Sequence, residues 1–561
     1  MIRKHTLILI AVLTSVIAFS QPKHFRVMWG ENPANEITIG FSRELISLQN
    51  GNSFRLLYSE NDHGTDAAAY LADNDALEVA REELLYQGQN HYFFRLESLK
   101  PKTAYHFIIE YTNLAGTVSY TDKYWTKTAS DSPFDPVSII AGGDSRLNVD
   151  GGPIATLESI TIRQEANKMV AKLRPDAVAF GGDYTFANTF LEWQQWFTDW
   201  ELTYTEDNKI TPIIAAIGNH EHSPWGCPQC GNDVVYKLFD TPHPDNYYVT
   251  SIGGNLLRVY SLNTEMAITG EQTDWLAQDL ANNRLNTYWK MAQYHKPMRP
   301  HEAGKSDMNE AFDNWAQLFY DEQVRLVVEC DAHVVKSTHQ VIPSLESDGT
   351  SPCGTSEAVD HNFFRTYNGK GTVYIGEGTW AAIREGDDPK AWTREMGSIN
   401  QIKWIWVFQD HMEVRTVQTY FAEDAEYVNN VEALTELNRF TEPNGISLWG
   451  EEKVQYVYNN GLTPNPDPCA RVSVKELNAK NKLVKIVPNP SKSHKLSVYF
   501  SDGRIGDMNW EVINAEGKLI NSGVQKAEQN ELELNLTNEK AGVYYFKVLG
   551  KNSTAIPFIL E

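Results

Sequence analysis

Three apolar segments of the chain each end in a short turn that carries a polar side chain. The first two turns end in Gly-Gly-Asp, at Asp144 and Asp183, and the third reads Gly-Asn-His-Glu, with Asn219 and His220. Because open α/β sheets place ligand sites at the carboxyl ends of their strands, we expect these side chains to converge. Carboxylate and amide oxygens bind hard cations. One Gly-Asp turn would be ordinary turn chemistry, but three in succession predict a metal site.

Two later segments extend this set of polar residues. YWKMAQYHKP is an apolar strand that leads to His295, and VRLVVECDAH ends in Asp331 and His333. Together, the blocks GDSR, GDYTF, GNHE, QYHKP and CDAH resemble the calcineurin-like metallophosphoesterases, and within them the purple acid phosphatases. The resemblance extends over roughly residues 25–420. Its first three blocks are specific to the family, and the last block is degraded.

The resemblance implies an α/β fold, a metallophosphoesterase four-layer α/β sandwich flanked by N-terminal and C-terminal β-sandwich domains. It also implies two metal ions (Fe, Mn or Zn) and a metal-bound hydroxide that attacks phosphorus. Asp183 would bridge the ions, and His220 would stabilise the transition state or protonate the leaving oxygen. The other implied ligands are Asp144 and His333 for the first ion, and Asn219, His295 and Asp331 for the second.

The chain departs from the family pattern at its first two aspartate blocks. Arg146 stands where the family often has His or Gly. Arginine cannot ligate a metal, but its planar fork suits a phosphate, so we predict a phosphate clamp, with a structural ion pair as the alternative. Phe186 occupies the place of the tyrosine that colours the purple enzymes, and Tyr184 lies two residues earlier. A ferric tyrosinate centre is therefore not expected.

A third departure affects the implied second metal ion. Asp331 replaces the first histidine of the family's GHxH block. A carboxylate is still a ligand and is harder than imidazole, which favours Mn, Fe or Ca. Alternatively, the second site is weak or empty, and the protein is mononuclear or has lost its activity. His222 and His301 are candidate supporting or substrate-binding groups, or else surface histidines.

The length and charge of the chain limit its domain number and its partners. With 561 residues, two to four domains are expected. The net charge of −24 argues against nucleic acid or an anionic membrane as a partner. Residues 1–20 are predicted to be a signal peptide, with a basic start, an apolar stretch and a small-x-small end. No transmembrane segment is expected in the mature chain, because no other stretch is long and apolar enough.

Four further segments are predicted after the signal peptide. Residues 21–130 are all-β, and LESLKPKTAYHFIIEYTN resembles a fibronectin type III sandwich with Tyr105 as its corner tyrosine. Residues 131–420 alternate strands with helices, as the phosphoesterase resemblance implies. Residues 421–483 are an extension and linker. One helix in the second segment carries an aromatic stripe that we predict to be core packing: Trp193, Trp196, Phe197 and Trp200.

Residues 484–561 form the last predicted domain. VPNPSKSHKLSVYF, NAEGKLI and AGVYYFKV resemble the C-terminal sorting domain of type IX secretion. This resemblance implies the type IX secretion machinery as a partner and a secreted or cell-surface protein. The alternative is an accessory β-sandwich that binds a polymer.

Export permits disulfides, and the chain has five cysteines. Cys227 and Cys230 form a CxxC pair, for which we predict a local disulfide while a redox pair or half a zinc site stays open. Cys353 and Cys469 could pair, which the sequence cannot establish. Cys330 follows an apolar strand and is predicted to be a buried thiol.

The function predicted first is a secreted, metal-dependent phosphomonoesterase that resembles the acid phosphatases and acts on a small phosphate ester. A phosphodiesterase or nucleotidase on the same scaffold is the second possibility, because substrate size depends on loops that the sequence does not define. A catalytically degraded surface protein that only binds its ligand is the third. Arg146, Phe186 and Asp331 are the features that favour this last alternative.

Overall fold

The structure is a computed structural model, and it describes most of the chain in two compact units, Met1–Pro466 and Asp467–Glu561. The described residues are 21–44, 53–86, 89–112, 117–147, 157–222, 233–343, 364–366, 371–458, 485–487, 491–499, 508–514, 518–526, 531–549 and 554–560. The predicted signal peptide lies outside them, as do Cys227, Cys230, Cys353 and Cys469. Cys330 is a buried free thiol, as predicted.

Two large β-sheets form the centre of the first unit. The ten-stranded sheet runs, in spatial order, through Gln455–Tyr458 (β24), His411–Gln418 (β23), Gln401–Val407 (β22), Val137–Gly142 (β10), Ala177–Phe180 (β11), Ile213–Ala215 (β12), Lys23–Met28 (β1), Ile37–Glu44 (β2), Gln89–Leu96 (β6) and Arg81–Tyr86 (β5). The seven-stranded sheet runs through Tyr248–Ile252 (β13), Leu257–Ser261 (β14), Trp289–Gln293 (β15), Val324–Glu329 (β16), Val373–Gly376 (β20), Val335–Thr338 (β17) and Thr393–Gly397 (β21). A two-stranded ribbon joins Val341–Pro343 (β18) to Phe364–Thr366 (β19).

The central strands are buried on both faces, which is why they read as continuous apolar runs rather than alternating ones. Strands β10, β11 and β12 are parallel neighbours, as are β14, β15, β16 and β20. Ile139 of β10 packs between the two sheets, against residues such as Val328 of β16. The next residue, Ile140, faces the opposite side and packs against helices. Helices therefore cover the face of each sheet that does not meet the other sheet.

Helices on the two outer faces complete four layers. Their bounds are Leu157–Leu173 (α2), Phe190–Trp200 (α3), Asn219–His222 (α4), Val234–Phe239 (α5), Glu271–Asn282 (α6), Asn309–Ala311 (α7) continued by a π-helical turn Phe312–Ala316 and by Gln317–Asp321 (α8), and Tyr427–Asn430 (α9), with Ala67–Asp73 (α1) in the N-terminal region. Thr189 and Glu192 form a capping box at the start of α3. The aromatic stripe of α3 is buried in the core beside β10 and β11, which confirms that prediction.

The outer face of the seven-stranded sheet is covered in the same way. Leu276 and Leu280 of α6 and Trp315 and Phe319 of the helix at residues 309–321 pack against Val327 of β16. The order helix, sheet, sheet, helix confirms the predicted four-layer α/β sandwich.

The N-terminal region is a β-sandwich that shares its sheet with the α/β layers. Strand β1 pairs in parallel with β12, with Met28 opposite Ile213. The facing sheet contains Phe54–Ser59 (β3), Leu77–Glu78 (β4), Ala104–Thr112 (β7), Val118–Tyr120 (β8) and Tyr124–Lys127 (β9). The Lys100 N–H donates to the Tyr105 hydroxyl oxygen at 2.8 Å, the backbone contact expected of a corner tyrosine. This sandwich and the α/β layers therefore share one continuous sheet.

The second unit is a small β structure with its own core. Its sheets contain Lys485–Val487 (β25), Lys495–Tyr499 (β26) and Glu531–Asn535 (β29), and Leu519–Gln525 (β28), Met508–Asn514 (β27), Gly542–Leu549 (β30) and Thr554–Leu560 (β31). Val498, Val512, Phe546 and Phe558 are buried at its centre. Among the helices that the structure describes, none has the length and apolar character needed to span a bilayer.

Candidate metal centre

The predicted ligands gather at the carboxyl ends of the central strands. Asp144 follows β10, Asp183 follows β11, and Asn219 opens helix α4 just after β12. His295 follows β15, and Asp331 and His333 follow β16. All six side chains thus lie where the sequence predicted that polar turns would meet.

Four of these residues have left-handed backbone conformations. The φ angles are 60° for Asp144, 55° for Asp183, 65° for Asp331 and 61° for His333. Residues with a Cβ rarely adopt this region, and such conformations concentrate at functional sites. Gly378 makes room for one of them, because a Cβ there would lie 1.5 Å from Asp144 Oδ2. The turns are therefore shaped around the position of the carboxylates.

The first ligand group contains Asp144, Asp183 and His333. One ligand atom from each lies within 4.8 Å of the other two. His333 Nε2 is 3.1 Å from Asp144 Oδ1. All three residues are almost completely buried. Two carboxylates and an imidazole leave further coordination positions open, as catalytic metal sites require.

The second ligand group surrounds the His295 ring. His295 Nε2 lies 3.0 Å from Asn219 Oδ1, 3.2 Å from Asp183 Oδ1 and 3.7 Å from Asp331 Oδ1. Metal–ligand bonds of about 2.0–2.2 Å place the ligands of one ion roughly 3–4 Å apart. The three distances from His295 Nε2 match this spacing. Asp183 belongs to both groups, and its Oδ1 is the atom next to His295.

Two buried carboxylate oxygens without hydrogen bonds also indicate that the donor atoms suit metal ions. Asp144 Oδ1 and Asp183 Oδ2 are buried and accept no hydrogen bond from the part of the chain that the structure describes. A buried anionic oxygen without a donor is costly, and a bound cation removes that cost. Oxygen and imidazole donors together suit Fe, Mn or Zn.

Neighbouring charges keep the carboxylates in the form that binds metal. Burial opposes their ionisation, but nearby cationic groups, His295 foremost, together lower the pKa of Asp183 and of Asp331. Lys305 adds to this effect at Asp331. Both side chains are therefore ionised at neutral pH, as ligation requires.

Glu221 supports the Asp183 turn, a role that the sequence did not reveal. Its Oε2 accepts from the N–H groups of Asp183 at 2.8 Å and Gly218 at 3.1 Å, and its Oε1 from those of Tyr184 at 2.9 Å and Thr185 at 3.3 Å. Burial raises the pKa of Glu221 to about 8. The four donors act in the opposite direction, because only the ionised carboxylate accepts at both oxygens.

We expect Glu221→Gln to destabilise the protein by about 2–3 kcal/mol, because an amide nitrogen cannot accept from the N–H groups that one carboxylate oxygen now binds. Denaturant unfolding measures this change. Glu165→Gln is the matched control, since Glu165 bonds only to Lys168 on helix α2 among the contacts described. A Glu221→Gln variant as stable as the wild type would show that these four contacts contribute little.

Arg146 and His220 lie beside the first ligand group. Arg146 Nε is 3.5 Å from Asp183 Oδ2, and its Nη2 is 3.4 Å from His333 Nε2. His220 Nδ1 is 2.5 Å from the Phe186 carbonyl oxygen, so Nδ1 carries the proton. His220 Nε2 then faces Asp183 Oδ2 at 3.7 Å. Both side chains are near enough to reach a substrate held by the ligand groups.

Lys305 is a second residue that the sequence did not reveal. Its Nζ lies 2.7 Å from Asp331 Oδ1, and its side chain is partly exposed. The lysine balances the negative charge that Asp331 adds in place of a neutral histidine. Lys305 lies on a loop 26 residues before Asp331, and no spacing rule links the two.

Tyr184 and His301 have hydrogen-bond partners outside the two ligand groups. The Tyr184 hydroxyl donates to the Ala216 carbonyl at 2.9 Å, within the aromatic core. His301 is buried, and its Nε2 lies 2.7 Å from Thr393 Oγ1. His222 is the last residue of helix α4 and is only partly buried.

Comparisons with known families match two parts of the chain. Residues 150–337 match the family model of calcineurin-like phosphoesterases. Residues 485–560 match the secretion system C-terminal sorting domain. No curated protein matches the chain in sequence.

Several solved structures resemble the chain at low sequence identity. The purple acid phosphatase PPD1 from seeds of yellow lupin (Lupinus luteus) has a TM-score of 0.56 and 15% identity, and the match covers 71% of this chain and 72% of that chain. PhoD has a TM-score of 0.46 and 10% identity, over 71% of this chain and 87% of that one. The lupin structure shows that the α/β fold is shared.

Proposed function

From the calcineurin-like phosphoesterase domain that the chain carries at residues 150–337, we propose that the protein is a phosphomonoesterase with a dinuclear metal centre. The observation that supports this most strongly is the position of Asp183. Its Oδ1 lies 3.2 Å from His295 Nε2, and its Oδ2 is a buried oxygen without a hydrogen bond among the described residues. One carboxylate can therefore serve two ions.

Asp144, Asp183 and His333 would hold the first ion, and Asp183, Asn219, His295 and Asp331 the second. When bound, the ions would activate water as a nucleophile and neutralise the charge that develops on the phosphoryl group. Fe, Mn or Zn would suit these donors.

Arg146 would orient the phosphoryl group. Its guanidinium lies against the Phe186 ring, 5.7 Å from the ring centroid, and next to Asp183. A planar fork in this place can donate two parallel hydrogen bonds to phosphate oxygens. Lys305 adds a second cation on the side of Asp331. Two side-chain cations favour a dianionic monoester over a monoanionic diester, which is why we propose a monoester as the substrate.

The test of this substrate class is hydrolysis of p-nitrophenyl phosphate and of bis(p-nitrophenyl) phosphate by the purified wild-type protein, from acidic to alkaline pH. We expect a higher kcat/KM for the monoester. A higher value for the diester would overturn the monoester proposal in favour of a phosphodiesterase. No turnover of either compound in metal-loaded protein would favour the surface binding protein.

His220 would transfer the proton to the leaving oxygen through Nε2. Because Nδ1 donates to the Phe186 carbonyl, Nε2 is the ring atom that can gain and release a proton. General acid catalysis contributes most when the leaving group is a poor one.

We expect His220→Asn to lower kcat about 10²-fold on an alkyl phosphate and much less on p-nitrophenyl phosphate, whose leaving group needs no proton. Steady-state kinetics on the two substrates measures the difference. His222→Asn is the matched control, two residues along the same helix, and should leave both rates unchanged. Equal losses on both substrates would argue against proton transfer by His220.

The protein would encounter its substrate outside the cell. The C-terminal sorting domain indicates export through the type IX secretion system. We propose that the mature protein is secreted or held at the cell surface, where it releases phosphate from small phosphate esters. The net charge of −24 disfavours polyanionic partners such as nucleic acid.

A further inference from the structure

A fully buried lysine lies between two buried glutamates close to the ligand residues. Lys336 Nζ donates to Glu329 Oε2, to Glu377 Oε1 and to the Arg299 carbonyl oxygen, each at 2.7 Å. These three bonds use every proton of the ammonium group. The side chains of all three charged residues are at most 1% exposed.

The second oxygen of each glutamate is also bonded. Glu329 Oε1 accepts from the Tyr294 hydroxyl at 2.7 Å and from the Met298 N–H at 2.9 Å. Glu377 Oε2 accepts from the His301 N–H at 3.0 Å. A buried polar network in which every member is satisfied is rigid and holds its members in one arrangement.

Three members of this network, Tyr294, Glu329 and Glu377, are joined through the backbone to a metal-ligand segment. Tyr294 directly precedes His295, and Glu329 ends β16, two residues before Asp331. The Glu377 carbonyl accepts from the His333 N–H at 2.7 Å. One ammonium group thus connects the ends of β15, β16 and β20, which carry or contact three of the six ligands.

We propose that Lys336 is a positioning residue for the metal centre. By holding Glu329 and Glu377, it fixes the strand ends that orient His295, Asp331 and His333. Partners one layer behind the ligands set ligand orientation, and their loss weakens metal binding. This inference rests on the proposed metal centre, but it concerns residues that touch neither metal nor substrate.

The decisive comparison is between two buried lysines. We expect Lys336→Met to weaken Mn or Zn binding roughly 10- to 100-fold, measured by competition with a chromophoric chelator and corrected for the folded fraction. Lys209→Met is the control, since Lys209 is equally buried and pairs with Glu436 at 2.9 Å. Lys209 lies before the amino end of β12, whereas the ligands lie at the carboxyl ends. Both variants should unfold more easily, and only Lys336→Met should lose metal affinity.

A milder pair decides the question if Lys336→Met does not fold. Tyr294→Phe removes one hydroxyl donor to Glu329 and leaves the charges in place, and we expect roughly tenfold weaker metal binding. Tyr260→Phe is its control. Tyr260 lies on the neighbouring strand β14, and its hydroxyl donates to Asp279 at 2.7 Å. Wild-type metal affinity in Tyr294→Phe, and in Lys336→Met if it folds, would overturn this inference but not the proposed function. A wild-type protein that binds no metal would overturn the proposed function as well.

Discussion

Asp183→Asn is expected to abolish hydrolysis while leaving the fold intact. Asp183 belongs to the first ligand group and its Oδ1 also lies 3.2 Å from His295 Nε2, which is the position of a carboxylate between two ions. An amide has the same size, and the backbone N–H of residue 183 can still donate to Glu221. We expect kcat to fall at least roughly 10³-fold, the upper range for loss of one charge-stabilising group. Turnover of p-nitrophenyl phosphate and metal content per chain measure the effect.

Asp240→Asn is the matched control for this substitution. Asp240 is also mostly buried and has a positive φ of 46°, but it pairs with Arg81 and Arg95 rather than with the ligand groups. We expect this variant to keep its metal and its activity. Wild-type turnover in Asp183→Asn with a full metal complement would contradict the bridging role.

Removal of metal is expected to lower activity about as much as Asp183→Asn does, and to lower the stability of the fold by a large amount. Without a cation, the buried oxygens Asp144 Oδ1 and Asp183 Oδ2 accept no hydrogen bond from the described residues. A ligand at about 1,000 times its Kd stabilises the folded state by about 4 kcal/mol, so chelation should lower the unfolding midpoint. Readdition of Fe, Mn or Zn should restore both properties. Elemental analysis, unfolding and turnover on the same sample measure the three effects.

The number of ions per chain separates the remaining alternatives. About two ions with turnover would mean that Asp331 is a working ligand despite its contact with Lys305. One ion with turnover would indicate a mononuclear enzyme in which the Lys305–Asp331 pair replaces the second ion. Protein that binds no metal and has no turnover after addition of each metal would contradict the proposal and favour a secreted binding protein.

The convergence of the candidate ligand residues could be predicted because their signal is local. An apolar run that stops at a glycine turn shows both that a strand is buried and where it ends. Asp144, Asp183 and Asn219 each follow such a run. The aromatic stripe of helix α3 is also a local signal, because a period near 3.6 residues marks one face of a helix.

The contacts behind the ligands depend on residues that are distant in the sequence. Glu221 bonds to a turn 38 residues earlier, and Lys336 to a glutamate 41 residues later. No periodicity links such pairs, because they come together only when separate strands take neighbouring places in a sheet. The pairing of β1 with β12 is of the same kind.

The sequence alone therefore determined the α/β layers and the types of the candidate metal ligands. Burial pattern and turn chemistry are properties of short segments, and they act before distant elements meet. Only the tertiary structure decided that Asp183 is shared by two ligand groups and that Lys305 faces Asp331. It also decided that Lys336 bonds to the two glutamates that are joined to the ligand segments. These relations are set by the packing of distant strands and helices against one another, which no single segment specifies.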